Sequence, residues 1–278
     1  LRALAFRNPR HVEADYPASS HRAPRINATM KFEEIFALVG HVPYITKDHG
    51  KYLYDMIIEQ KLTSILELGI AHGTATCFMA AALQELGRGS ITAVDLIDVN
   101  FQPSAEEQLK KTGLDAYAKV TRMKSGYTWF LHDEIVRNTQ DDKCAEIYDL
   151  CIIDGPKNWT IDGAAFFFAD KLLRRNGWMI FDDYDWTYAS VSRDGDTTDG
   201  ISHRSMSEAE MKTPQIREVF QLLVKQHPHY GTLKVMNESW GLAQKTMTSD
   251  KNYTVAFERT TKDLFAKVVT GIYRKIRS

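Results

Sequence analysis

From Thr63 to Phe181, short apolar runs alternate with segments long enough to be helices. Residues 64–68, 90–95, 119–124, 150–153 and 178–181 read as strands, and residues 74–86, 105–113, 128–138 and 161–174 as the helices between them. Run 150–153 is β-branched and flanked by polar residues, the pattern of a strand buried on both faces. Such alternation predicts βαβ units, and hence an α/β fold with a doubly wound, mostly parallel sheet. A helix over 48–60, with Asp48 as its N-cap, leads into the first strand. Beyond Pro214, which can open a helix reaching about Gln226, residues 232–235 and 241–244 are two short strands joined by Asn237-Glu238-Ser239. They predict an antiparallel hairpin closing a seven-stranded sheet.

The flanks break this rhythm. Residues 1–29 show neither helical nor strand periodicity and read as a flexible N-terminal arm or extension, ahead of a main domain over 30–246. Residues 187–212, rich in Ser, Asp, Thr and Gly, are too long for an ordinary connection and suggest a lid. Residues 247–278 form a C-terminal extension whose 260–276 stretch has a basic amphipathic helical pattern, suited to docking on the domain or on a like subunit, so a homo-oligomer stays open.

Charge and composition narrow the partners. The formal net charge is -1, from 35 basic and 36 acidic residues, which gives no global attraction to nucleic acid or to an anionic membrane. No apolar run has the roughly 18 residues needed to span a bilayer, and no export signal opens the chain. The three cysteines, Cys77, Cys144 and Cys151, are odd in number, which with the rest suits a reducing cytoplasm.

The candidate chemistry lies at strand ends. SILELGIAHGTAT puts Gly69 and Gly73 in the turn between the first strand and its helix, where glycine lets backbone approach a ligand and the helix start offers N–H donors. The dinucleotide fingerprint is missing, with Ala71 at a glycine position, which disfavours a pyrophosphate. Glu67, a carboxylate ending a buried strand, needs donors that a cationic amino group supplies, as in the amino acid part of S-adenosylmethionine; alternatively it caps the following helix. Asp95, ending the second strand, can accept ribose hydroxyls or simply begin a loop.

Asp154 ends the fourth strand, and Asp182 with Asp183 ends the fifth. Three converging carboxylates repel unless neutralised, and such hard oxygen ligands suit Mg²⁺ or another divalent cation. The plainer alternative is a solvated acidic loop. Lys157 is a candidate general base if it can be neutral, or else a salt-bridge partner of the acids. The histidines, including His227 and His229 beside Pro228, show no metal-ligand spacing and read as turn or surface residues.

At this point the chain resembles the class I S-adenosylmethionine-dependent methyltransferases, with their Rossmann-like sheet. ELGIAHG looks like the E-x-G-x-x-x-G loop of the catechol and caffeoyl-CoA O-methyltransferase group. The resemblance implies a cofactor site of Glu67, Gly69, Ala71, Gly73, Thr74, Asp95 and Asp154, with Ser125 and Gly126 at the adenine edge. It also implies a metal site of Asp154, Asp182 and Asp183, with Lys157 catalytic beside Asp154. Asp183 stands where catechol-type enzymes have Asn, and the Asp-Asp-Tyr ending is closer to the macrocin-type enzymes. The implied acceptor is therefore a hydroxyl of a small molecule or sugar unit, in natural-product or glycan biosynthesis. Read from the residues alone, a metal-independent N- or O-methyltransferase and a non-catalytic S-adenosylmethionine-binding protein remain alternatives.

Overall fold

A computed structural model describes residues 29–191 and 204–248. Helices α1 (Phe32–Val39) and α2 (Lys47–Gln60) precede β1 (Ser64–Leu68). Then follow α3 (Thr74–Leu86), β2 (Ser90–Leu96), α4 (Ala105–Thr112), β3 (Ala118–Met123), α5 (Tyr127–Arg137), β4 (Tyr148–Ile153), α6 (Trp159–Leu172) and β5 (Leu173–Phe181). After α7 (Glu208–Lys212) and α8 (Gln215–Glu218), β6 (Tyr230–Met236) and β7 (Trp240–Lys245) close the sheet. The strand order is β3-β2-β1-β4-β5-β7-β6. The first five run parallel, whereas β7 is antiparallel to β5 and β6 antiparallel to β7. This is the seven-stranded, doubly wound architecture that the alternation predicts.

The period of two in each strand divides the core between the two faces. Ile65, Leu150, Ile152 and Ile180 pack with Phe78 and Leu53 on the side of α1 to α4. Leu66, Leu68, Cys151, Ile153 and Phe181 pack with Phe166 and Leu131 on the side of α5 and α6. Glu67 alternates with Leu66 and Leu68 and so turns toward α3, into apolar surroundings. Asp149 anchors the other end of β1, accepting from Thr63 N at 2.8 Å and Ser64 N at 3.0 Å and pairing with Arg174 at 2.7 Å.

Several boundaries differ from the sequence reading. Thr46, not Asp48, caps α2: its hydroxyl accepts from His49 N at 3.2 Å, while Asp48 falls in the first turn. Strand β5 begins at Leu173, inside the segment assigned to the preceding helix. There Asn176 has a φ of 66°, and the register shifts between Tyr148 and Leu150, so Asn-Gly marks an irregularity within a strand rather than its boundary. The helix after Pro214 passes at Val219–Val224 into a π-helical turn. Helix α1 and a small hairpin pairing Thr139–Gln140 with Lys143–Cys144 were not foreseen. The expected arm (save Thr29), the middle of the expected lid and the tail helix lie outside the described residues. The described parts of the lid segment are a short turn at Tyr188–Ser190 and α7. No helix among the described residues is long and apolar enough to cross a membrane.

Candidate active site

Because β1, β2, β4 and β5 are parallel, their carboxyl ends share one edge of the sheet, where open α/β sheets bind ligands. A cavity of about 830 Å³ opens there, bounded by the turn after β1, by Asp95, by the loops after β3 and β4, and by Asp182, Asp183 and Trp186. Of the residues singled out in the sequence, Gly69, Ala71, Asp95, Ser125, Gly126, Asp154, Lys157, Asp182 and Asp183 line it. Glu67, Gly73 and Thr74 do not.

The turn after β1 is held from within. The Asp95 carboxylate accepts from Ile70 N at 3.1 Å, Ala71 N at 3.0 Å and Leu96 N at 2.7 Å. These bonds occupy most of its acceptor capacity and fix the loop around it. Gly69 has a φ of 88°, and a Cβ there would lie 2.1 Å from the Asp154 carbonyl oxygen. A Cβ at Gly73 would lie 2.5 Å from that of Ala105 on α4. Close packing of the protein on itself thus already demands both glycines. Glu67, only 3% exposed, sits beneath the turn and accepts from the Thr76 hydroxyl at 2.6 Å. Burial pushes its carboxyl up to about 8; nearby Asp95 adds to the rise and the Thr76 hydroxyl opposes it.

The three aspartates converge. Asp154, Asp182 and Asp183 each offer an oxygen, all within 4.8 Å of one another. Lys157 Nζ lies among them, hydrogen-bonded to Asp154, 3.4 Å from Asp183 and 3.8 Å from Asp182. Burial holds the Asp154 and Asp183 carboxyls above the usual carboxylate range, the Asp182 charge adds to this, and Lys157 opposes it. For Lys157, burial works against the ammonium but the three acids outweigh it, so the amine is held above its ordinary value. Of the two roles that the sequence leaves open for Lys157, the uncomplexed protein shows the salt-bridge partner of the acids. One ammonium leaves three carboxylates undercompensated, and a hard divalent cation fits this donor set.

The loop carrying Lys157 is tightly braced, although Lys157 itself has a φ of 61°. The Asn158 side chain caps α6, accepting from Thr160 N at 2.9 Å and Ile161 N at 3.1 Å. Asp162 accepts from Asn158 N at 2.6 Å and from the Tyr127 hydroxyl, while the Tyr188 hydroxyl donates to Pro156 O. Burial pushes the Asp162 carboxyl up to about 6, opposed by these donors. Tyr127 also needs Gly155 bare, since a Cβ there would lie 2.0 Å from its hydroxyl oxygen.

Other lining residues gave no sequence signal. Tyr44, before α2, stacks on His72 at 5.6 Å and meets Phe101 edge-on at 5.9 Å, forming an aromatic group beside the glycine turn. Of Trp159, Trp186 and Tyr188, aromatics that follow β4 and β5, Trp186 lines this cavity. Tyr188 is buried, and Trp159 faces a separate hollow of about 530 Å³ bordered by α7 and α8.

Residues 66–184 match a family model described as a methyltransferase domain. No curated protein matches the sequence. Among solved structures, an O-methyltransferase from Bacillus cereus in complex with S-adenosylhomocysteine is similar at 18% identity and a TM-score of 0.51, over 77% of this chain and 88% of that one. The O-methyltransferase TomG from Streptomyces achromogenes, involved in tomaymycin synthesis and bound to S-adenosylmethionine, is similar at 17% identity and a TM-score of 0.51, over 82% and 94%. A Staphylococcus aureus protein assigned provisionally as a caffeoyl-CoA O-methyltransferase is similar at 17% identity and a TM-score of 0.53, over 79% and 93%. The family match and the sheet order together show that residues 66–184 form a methyltransferase domain, on a fold shared with these S-adenosylmethionine-dependent O-methyltransferases.

Proposed function

We propose that this protein is a divalent-cation-dependent O-methyltransferase, moving the methyl group of S-adenosylmethionine to a hydroxyl of a small molecule or sugar unit in natural-product or glycan biosynthesis. One observation carries this reading: the Asp154, Asp182 and Asp183 cluster opens into the same cavity as the glycine turn. Methyl donor and acceptor can therefore meet without leaving it. The similar O-methyltransferase structures, one with S-adenosylmethionine bound, support the reaction class.

Asp154, Asp182 and Asp183 would hold the ion. When bound, Mg²⁺ supplies positive charge that makes a neighbouring hydroxyl more acidic. Gly69, Ala71, Asp95, Ser125 and Gly126 form the donor half of the cavity, and Glu67 beneath the turn would supply negative charge once a cationic amino group above it favours the ionised carboxyl. Lys157 Nζ is the candidate acceptor of the hydroxyl proton, and its task is possible only while the acids' hold on its own proton is relaxed. Seating both reactants in one braced cavity contributes chiefly by positioning, as suits an in-line attack on a sulfonium methyl.

A second reading rests on Lys157. Its ammonium already neutralises part of the acidic cluster, so a metal-independent N- or O-methyltransferase can be built from the same residues, with Asp154 and Lys157 contacting substrate directly. The test is formation of S-adenosylhomocysteine against a panel of hydroxylated acceptors, before and after treatment with EDTA and again after adding Mg²⁺. Loss and recovery of turnover are expected. Turnover indifferent to both treatments selects the second reading, and S-adenosylmethionine binding without transfer to any acceptor points to a binding protein.

A further inference from the structure

At the opposite edge of the sheet, Asp170 in the last turn of α6 meets His227 and His229 from the turn that leads into β6. Each contributes one ligand atom, and the three atoms lie within 4.8 Å of one another. Strand β5, nine residues long, separates this group from Asp182 and Asp183, roughly 25–30 Å at the usual rise per residue. It is therefore independent of the methyltransfer cavity. We propose that Asp170, His227 and His229 form a second metal site, which takes one transition-metal ion of the zinc type and clamps α6 to the start of β6.

The donor set decides the class of ion. Two imidazoles and one carboxylate suit Zn²⁺, unlike the all-oxygen group in the cavity. His229 Nδ1 lies 3.8 Å from Asp170 Oδ2. That is too long for a hydrogen bond, and it is close to the roughly 3.4 Å between two ligand atoms placed tetrahedrally about zinc at 2.0–2.2 Å. The surroundings orient the group. Tyr230 donates its hydroxyl to Asp170 Oδ1 at 3.0 Å, which directs Oδ2 toward the histidines and is the kind of outer contact that ligating carboxylates carry. Phe166 and Tyr230 each pack 5.5 Å from the His227 ring, forming an apolar wall. The nearby Lys245 ammonium donates to the backbone oxygens of Asp170 and Leu173 at 2.6 and 2.9 Å and to Glu146 at 3.0 Å; it also lies 3.4 Å from Asp170 Oδ1, the oxygen that Tyr230 holds, and not on the Oδ2 that meets His229. The 3.3 Å contact from His229 N to His227 Nδ1 is at the long limit for a hydrogen bond and would be exchanged for the ion. Spacing along the chain concealed the site, because Asp170 arrives from a different element.

The test uses the full chain, stripped with a chelator and titrated with Co²⁺ and then Zn²⁺. Expected are an intense visible band of tetrahedral cobalt at one equivalent, its displacement by Zn²⁺, and a rise in melting temperature with Zn²⁺. Asp182→Ala should keep all three. His229→Ala and the milder Asp170→Asn should fold without metal, lose the band, and bind Zn²⁺ at least about 100-fold more weakly. Should His229→Ala fail to fold, Asp170→Asn alone carries the comparison. The proposal is overturned if the wild type gives no tetrahedral band, or if the band disappears in Asp182→Ala but survives in the other variants.

Discussion

Trp240 donates its indole N–H to Asp182 Oδ1 at 2.5 Å, while its ring stacks on His49 with centroids 4.3 Å apart and planes 13° apart. One oxygen of Asp182 is thereby tied to β7, and the other faces Lys157 and the remaining acids. Trp240→Phe keeps most of the stacking surface but removes the donor. Its expected effect is a loss of divalent-cation affinity of about 10-fold, in the range for outer contacts of metal ligands, with cofactor affinity unchanged. Calorimetry with Mn²⁺ and, separately, with S-adenosylhomocysteine reads the two. Equal weakening of both would mean that Trp240 only supports the fold.

Asp182→Ala goes further, removing an expected ligand while leaving the glycine turn untouched. Cation-dependent turnover should fall at least about 100-fold, and S-adenosylhomocysteine binding should change by less than about 3-fold. Parallel loss of both would assign Asp182 a structural role instead.

Gly69→Ala tests what the glycine is for. Its added Cβ would meet the Asp154 carbonyl oxygen at 2.1 Å, at a backbone angle that side chains disfavour. The ends of β1 and β4 must then separate, with an expected loss of stability above about 2 kcal/mol from backbone strain and the clash together. Thermal or denaturant unfolding in the absence of any ligand measures it. If the variant unfolds like the wild type and only loses cofactor, the glycine serves ligand approach alone.

Much of this arrangement was legible in the sequence, because short apolar runs alternating with helix-length segments, and the acids at the ends of those runs, specify a parallel sheet with chemistry on one edge. The nine lining residues found by that logic all sit at or just after strand ends. What stayed hidden depends on contacts between distant segments. Tyr44 joins the cavity from before α2, and Trp240 reaches Asp182 from the last strand. Asn176-Gly177 carries a turn signal that the structure uses inside β5. The choice between the two roles of Lys157 also needed the structure, since it turns on the distances from its ammonium to three acids carried by two strands.

Asp149→Ala concerns the far edge of the sheet. Removing its carboxylate leaves the Thr63 and Ser64 N–H groups without their acceptor and Arg174 without its partner. A loss of about 1–3 kcal/mol in unfolding free energy is expected, with cation and cofactor binding in the folded protein unaltered. An unchanged denaturation midpoint would show that water replaces these bonds at no cost.

Glu67 gives the pH dependence. Its carboxyl is pushed up to about 8 in the folded chain, against roughly 4.3 when unfolded, so between those values the folded state holds a proton that the unfolded state releases. Stability from this group is therefore full below the unfolded value and is lost as pH rises toward 8, by an amount on the order of a few kcal/mol. Glu67→Gln retains an acceptor for the Thr76 hydroxyl but cannot ionise. Melting temperatures from pH 5.5 to 8.5 should thus fall more steeply for the wild type than for the variant. A ligand amino cation above Glu67 would reverse the preference, favouring the ionised form, so cofactor affinity should rise with pH up to about 8 in the wild type and stay flat and weaker in Glu67→Gln. Identical pH profiles for the two proteins, in both measurements, would remove Glu67 from the cofactor site and leave it a buried acid bonded to Thr76.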